Sequence, residues 1–222
     1  MESKLFTPVT FGPLTLRNRT IRSAAFESMC PGNAPSDMLL DYHRSVAAGG
    51  IGMTTVAYAA VTQSGLSFDR QLWMRPEIIP GLRRLTDAIH AEGAAAGIQL
   101  GHCGNMSHKS ICGCMPVGAS SGFNLYSPTF VRGLRADELP EMARAYGRSV
   151  NLAREAGFDS VEIHAGHGYL ISQFLSPSTN HRKDEFGGSL QNRMRFMDMV
   201  MEEVMKAAGS DMACLLYTSP SP

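Results

Sequence analysis

The stretch EIHAGHGYLISQFLSP, residues 162–177, leaves an apolar strand and at once presents two imidazoles and a phenol: His164, His167 and Tyr169. An imidazole can donate a hydrogen bond to a substrate oxygen, and a phenol can deliver a proton. Two donors and one acid on one lip suit a reaction that builds negative charge on a carbonyl oxygen. A structural reading stands beside the chemical one, with His164 a satisfied core residue and Tyr169 a packing aromatic.

These residues need elements to hold them. In DSVEIHAG (159–166), strand alternation puts Val161 and Ile163 on one face and Glu162 and His164 on the other. Upstream, TIRSAAF (20–26) reads as a strand, and SDMLLDYHRSVAAGG (36–50) as a helix with Ser36 or Asp37 near its N-cap and glycines at its end. IGMTTVAYAAV (51–61) has no polar alternation, as a strand buried on both faces requires. Helix 76–93 turns Leu82, Leu85 and Ile89 inward, strand 94–101 follows, and helix 137–157 closes on glycine. Helix 189–209 has Ser189 as its N-cap, and MACLL (212–216) starts a fifth strand. The opening FTPVTFGPLTLRNR reads as a hairpin around Gly12-Pro13 that covers a barrel floor.

Repeated strand–helix units leave two folds, a doubly wound sheet or a (β/α)8 barrel. Polar loops follow the strands, so function belongs at the strand C-termini in either. No G-x-G-x-x-G follows the first strand, which favours the α/β class with a (β/α)8 TIM barrel. A whole barrel takes about 250 residues. Only four and a half units are legible here, so the expected architecture is a barrel truncated after them, its N-terminal part over residues 1–213. Residues 214–222, CLLYTSPSP, halt a strand as it begins, and one back-translation of them is the transposase mosaic end used to fragment DNA for sequencing. They are expected to be a non-native tail.

Composition excludes whole classes. Lys+Arg and Asp+Glu are both 20, so nothing draws the chain to nucleic acid or an anionic membrane. No apolar run reaches a membrane span. Five cysteines and no signal-peptide core point to reduced thiols and a cytoplasmic location.

HAGHGYLISQFLSPSTNHRKDEFGGSLQNRMRF, residues 164–196, resembles the signature of the old yellow enzyme family of FMN-dependent ene-reductases, and LFTPVTFGPLTLRNR resembles that family's opening hairpin. The resemblance covers residues 4 to about 213. It implies that His164 and His167 bind the oxygen of an electron-withdrawing group and that Tyr169 is the proton donor. It also implies a cofactor site: Ser23, Ala24, Ala25 and Phe26 along the flavin, the backbone of Ala60 against its ring, and Gln99 on the pyrimidine edge. The implied reaction is NADH- or NADPH-driven reduction of a C=C bond conjugated to a carbonyl in a small-molecule substrate. The family's usual thiol or hydroxyl on strand one is replaced by Ala24-Ala25-Phe26, its H-A-G-R after strand three by His102-Cys103-Gly104-Asn105, and its strand-five base by Tyr217. With strands seven and eight and their phosphate site absent, this fragment is expected to bind FMN weakly and be inactive alone.

GHCGNMSHKSICGC, residues 101–114, gathers His102, Cys103, His108, Cys112 and Cys114, and a metal-dependent barrel hydrolase built on that loop is the rival reading. The spacing gives C-x-C without a second knuckle, so the expectation is no metal and a long loop over the site. A non-catalytic, self-associating fragment is a third reading.

Overall fold

In the computed structural model, which describes residues 3–218, the chain opens with a hairpin of β1 (Val9–Phe11) and β2 (Leu14–Leu16). Gly12 turns it at φ 53°, a left-handed value that suits glycine. Arg17 then laces the hairpin to the body: its guanidinium donates to the carbonyls of Ile51 at 3.0 Å, Glu92 at 2.8 Å and Ala47 at 2.7 Å. Asn18 Nδ2 donates to Gly50 O at 2.7 Å. Those carbonyls lie where helices end and strands begin, so the hairpin sits under the strand N-termini, as the sequence predicts.

The body follows in chain order. Strand β3 (Ile21–Arg22) leads to α1 (Asp37–Ala48), β4 (Met53–Ala60), the short β5 (Leu72–Trp73) and α2 (Ile79–Ala91). Strand β6 (Ala95–Gly101) is followed by an excursion holding α3 (Lys109–Cys112), β7 (Val117–Gly118), β8 (Gly122–Asn124) and β9 (Thr129–Gly133). Then come α4 (Leu139–Glu155), β10 (Ser160–His164), α5 (Leu170–Leu175), α6 (Leu190–Ala208) and β11 (Ala213–Tyr217). The main sheet is parallel throughout, in the order β11-β10-β6-β4-β3 with β5 on β4. This is an open, truncated barrel wall.

All eight residues of β4 are buried, as a parallel strand covered on both faces must be. Helix α2 brings Leu82, Leu85 and Ile89 to the sheet, each with no exposed surface. Ser36 Oγ accepts from Leu39 N–H at 3.1 Å and Ser189 Oγ from Asn192 N–H at 3.2 Å, which satisfies orphan donors at the starts of α1 and α6. No helix among the described residues is long and apolar enough to cross a membrane.

Three departures are informative. The expected strand 20–26 is laddered only at Ile21 and Arg22, opposite Met53 and Thr54. Beyond that, side chains take the β4 backbone: Arg22 Nη1 donates to Thr55 O at 2.7 Å, and Ala57 N–H donates to Glu27 Oε2 at 3.3 Å. The excursion after β6 is a three-stranded sheet of order β7-β9-β8, not a plain loop. The third concerns length: the expected fifth strand, 212–216, forms as β11 and runs on to Tyr217 beside β10, Val161 facing Cys214 and His164 facing Tyr217. Residues 219–222 of the expected tail lie outside the described residues.

Leu82→Ala should cost about 2–5 kcal/mol of stability, because a buried leucine leaves a cavity that packed neighbours fill only in part. Urea unfolding measures it, and a loss below about 1 kcal/mol would contradict the packing of α2 on the sheet.

Candidate active site

The parallel ladder between β6 and β10 sets Gln99 opposite Glu162 and Leu100 opposite Ile163. Val161 and Ile163 pack outward with no exposed surface, so Gln99, Glu162 and His164 share the inner face. Gln99 Nε2 donates to Glu162 Oε1 at 2.6 Å. Burial pushes the Glu162 carboxyl up, and the bond from Gln99 opposes that shift. One of the two amide N–H groups is so engaged, and the other, with the Gln99 carbonyl oxygen, is left for a ligand.

A cavity of about 210 Å³ opens where these strands end. Its walls bring together Gln99, His164, His167 and Tyr169 with Ala24, Ala25 and Phe26. Two expected residues are not in this wall. Ser23 is exposed, just before the segment. Ala60 is fully buried opposite Gly101 and Trp73, and its carbonyl accepts from Met74 N–H at 2.9 Å.

The wall also contains residues the sequence did not single out. The β4–β6 register slips between Val56 and Ala59, a bulge that re-aims Ala57 and Tyr58 into the cavity. Tyr58 stands edge-on to His164 at 5.9 Å and to Tyr169 at 5.3 Å, and its hydroxyl donates to Gly65 O at 2.6 Å. Gly101 makes this possible, since a Cβ there would meet the Tyr58 ring at 2.5 Å and His164 Cβ at 3.1 Å. Below the wall, Glu27 holds Arg22 at 2.6 Å and His43 at 3.0 Å, while His43 Nδ1 meets Thr54 Oγ1 at 2.8 Å. This buried cluster clamps both ends of the 23–26 segment. The sequence signal was Glu27 itself, a carboxylate directly after the 23–26 run.

The lip of residues 164–169 is held in a strained form. His167 adopts φ 54°, unusual for a residue with a side chain, and Gly168 follows at 67°. Gln173 on α5 supports the turn from beneath: its Nε2 donates to Gly168 O at 2.6 Å and reaches Asn105 Oδ1 at 2.9 Å. Leu170 N–H donates to His102 O at 2.9 Å, tying the lip to the loop after β6.

Proton positions follow from the backbone. Gly166 N–H donates to His164 Nδ1 at 3.2 Å, so neutral His164 carries its proton on Nε2. That nitrogen lies 3.1 Å from His167 Nδ1, which therefore accepts and leaves the His167 proton on Nε2. Burial, aided by His167, lowers His164 to about 4, so it is a neutral donor at physiological pH. Tyr169 stacks on His164 at 4.7 Å, and its hydroxyl lies 3.4 Å from Ser67 Oγ. Burial raises Tyr169, the Ser67 bond opposing, so the phenol keeps its proton.

The metal reading asks the 102–114 loop to converge. His102 is fully buried, with Nδ1 accepting from Gly104 N–H at 3.0 Å and Nε2 3.0 Å from Ser64 Oγ. Burial lowers it to about 3. His108 instead meets Ser127 Oγ at 2.6 Å. Among the described residues no three His, Cys, Asp or Glu side chains gather as a metal would need.

The cavity's chemistry suits the ring system of a flavin. Three alanines, Ala24, Ala25 and Ala57, leave flat space beside an amide acceptor, and the two imidazoles and the phenol stand opposite. Among the described residues, no lysine or arginine lines it.

Comparison with known proteins bears on the family. The family described as NADH:flavin oxidoreductase / NADH oxidase matches residues 4–221. A 4,4'-dithiodibutanoate disulfide reductase of Rhodococcus erythropolis is 43% identical over 209 residues, covering 94% of this chain and 52% of that protein. An NADPH dehydrogenase of Bacillus subtilis is 37% identical, covering 92% of this chain and 60% of its own length. The chain thus spans about half the length of the curated relatives it matches. The solved old yellow enzyme homologue of Zymomonas mobilis superposes with a TM-score of 0.88 at 30% identity, over 96% of this chain and 63% of that one.

His102 and His164 are neutral in the fold and protonated in the unfolded chain between their lowered values and 6.5. The unfolded state there binds more protons, so stability falls as pH drops through that window. Proton NMR of the imidazole carbons should show both rings neutral at about pH 5. A His164 titration midpoint near 6.5 would contradict its desolvated placement.

Proposed function

The chain belongs to the NADH:flavin oxidoreductase / NADH oxidase family, and on that premise we propose that it carries the FMN-ring and acceptor site of an NAD(P)H-dependent ene-reductase. The observation that supports this most is the meeting of Gln99, His164, His167 and Tyr169 in one cavity against Ala24, Ala25 and Phe26. Bound FMN supplies hydride chemistry between NADH or NADPH and the acceptor. This chain's residues do the rest. The 23–26 segment, clamped by Glu27, gives the ring a flat bed, and the Gln99 carbonyl accepts at its pyrimidine edge. His164 Nε2–H and His167 Nε2–H turn to the carbonyl oxygen of an α,β-unsaturated substrate and stabilise charge there. Tyr169 O–H delivers its proton to the α-carbon. In the same reading residues 1–213 belong to one FMN-binding barrel of a cytoplasmic enzyme, residues 214–222 are foreign to it, and Tyr217, whose hydroxyl is 3.4 Å from His167 Nε2, has no assigned role.

The Rhodococcus relative, named for reducing a disulfide, favours a second acceptor class. Turnover of 2-cyclohexenone against that of a linear disulfide separates the two.

On the flavin-loaded protein, Tyr169→Phe should slow the step that consumes the enone by about 10²–10⁴-fold and leave NADPH oxidation in the first half-reaction unchanged. Stopped-flow absorbance resolves the halves. An unchanged enone step would remove Tyr169 from the proton-donor role.

A further inference from the structure

The sequence Cys112-Gly113-Cys114 lies at the end of α3, away from the cavity just described. Cys112 is 2% exposed, Cys114 is open to solvent, and their sulfurs stand 3.8 Å apart without a bond. Gly113 between them adopts φ 74°, a left-handed turn that brings the two side chains to one side. Cys112 Sγ also donates to Cys114 O at 3.2 Å, which holds it under its partner. The remaining thiols are poor competitors: Cys30 and Cys103 are buried, and Cys214 is half-buried.

We propose that Cys112 and Cys114 are a redox site, oxidised to an intraloop disulfide by small uncharged aliphatic disulfides. Cys114 borders a surface cavity of about 620 Å³ that admits such a molecule. Its charges cancel in pairs: Arg132 with Glu138 at 2.7 Å, Arg135 with Asp137 at 3.0 Å, and Arg148 with Glu141 at 2.8 Å. With each charge already paired, the cavity has no unmatched charge to hold an anionic or cationic reactant, which suits an uncharged one. The Cys114 thiolate attacks one sulfur of RS–SR, forming Cys114–S–S–R and releasing RS⁻. The Cys112 thiolate then attacks Cys114 Sγ, forming the protein disulfide and releasing the second RS⁻. The two protein thiols are oxidised, RS–SR is reduced, and the two protons end on two RSH. Burial, then Cys112, pushes the Cys114 thiol up to about 11, with Arg132 opposing, so exchange is slow at neutral pH and quickens in base.

The test incubates the folded protein with 2-hydroxyethyl disulfide at about pH 9, alkylates the remaining thiols and maps peptides by mass. The tryptic peptide 110–132 should lose two hydrogens, take no alkyl group, and regain both thiols with dithiothreitol. In Cys112→Ser, Cys114 should keep the mercaptoethanol adduct, since nothing resolves it. Two outcomes would overturn the assignment: alkylation of both cysteines, or a lasting adduct on Cys114 of the unaltered chain. The readout needs no flavin, so it stands or falls apart from the reading of the main site.

Discussion

The ladder between β6 and β10 carries the site. Because side chains alternate along a strand, the pairing of Gln99 with Glu162 places Gln99, Glu162 and His164 inward and Val161 and Ile163 outward together. A slip of one residue would turn the amide and the imidazole into the helical layer and bring apolar groups to the cavity. Burial of the outward pair fixes the register, so ordinary core packing decides where the chemistry sits. The Gln99–Glu162 hydrogen bond then holds the amide in place, with its second N–H and its carbonyl oxygen left for a ligand.

Two polar devices extend that frame. Arg22 and Glu27, joined by His43 in a buried cluster, take β4 backbone groups away from β3 and release Ala24, Ala25 and Phe26 to form a wall. Burying charges is costly unless they are partnered, and here the Arg22 guanidinium faces the Glu27 carboxylate at 2.6 Å. The second device is Gln173, which holds the left-handed His167 turn from below. Strain at the lip persists because the surroundings over-determine it. Desolvation then does electrostatic work of its own: it keeps His164 neutral and Tyr169 protonated, the states in which one donates a hydrogen bond and the other a proton.

Much of this was legible in the residues. The all-apolar run of β4, the Leu82/Leu85/Ile89 stripe, the Ser36 and Ser189 caps and the Val161/Ile163 alternation each state a local preference that the fold keeps. His164, His167 and Tyr169 were visible because three such groups on one lip serve packing poorly. What was hidden depends on long-range partners. Strand β3 ends early because the side chains of Arg22 and Glu27 capture β4 backbone groups, at Thr55 and Ala57, that its ladder would need. Tyr58 enters the cavity because of a bulge, and a bulge is a relation between two strands. Strands β7 to β9 are two to five residues long, too short for their period to rise above loop composition.

The most direct test is a crystal structure of the protein with FMN bound. The ring should lie along Ala24, Ala25 and Phe26, with its pyrimidine edge within hydrogen-bonding distance of Gln99 Oε1 and its open face toward His164, His167 and Tyr169. FMN seated elsewhere, or a ring whose pyrimidine edge faces away from Gln99, would contradict the site assigned to the β6–β10 ladder.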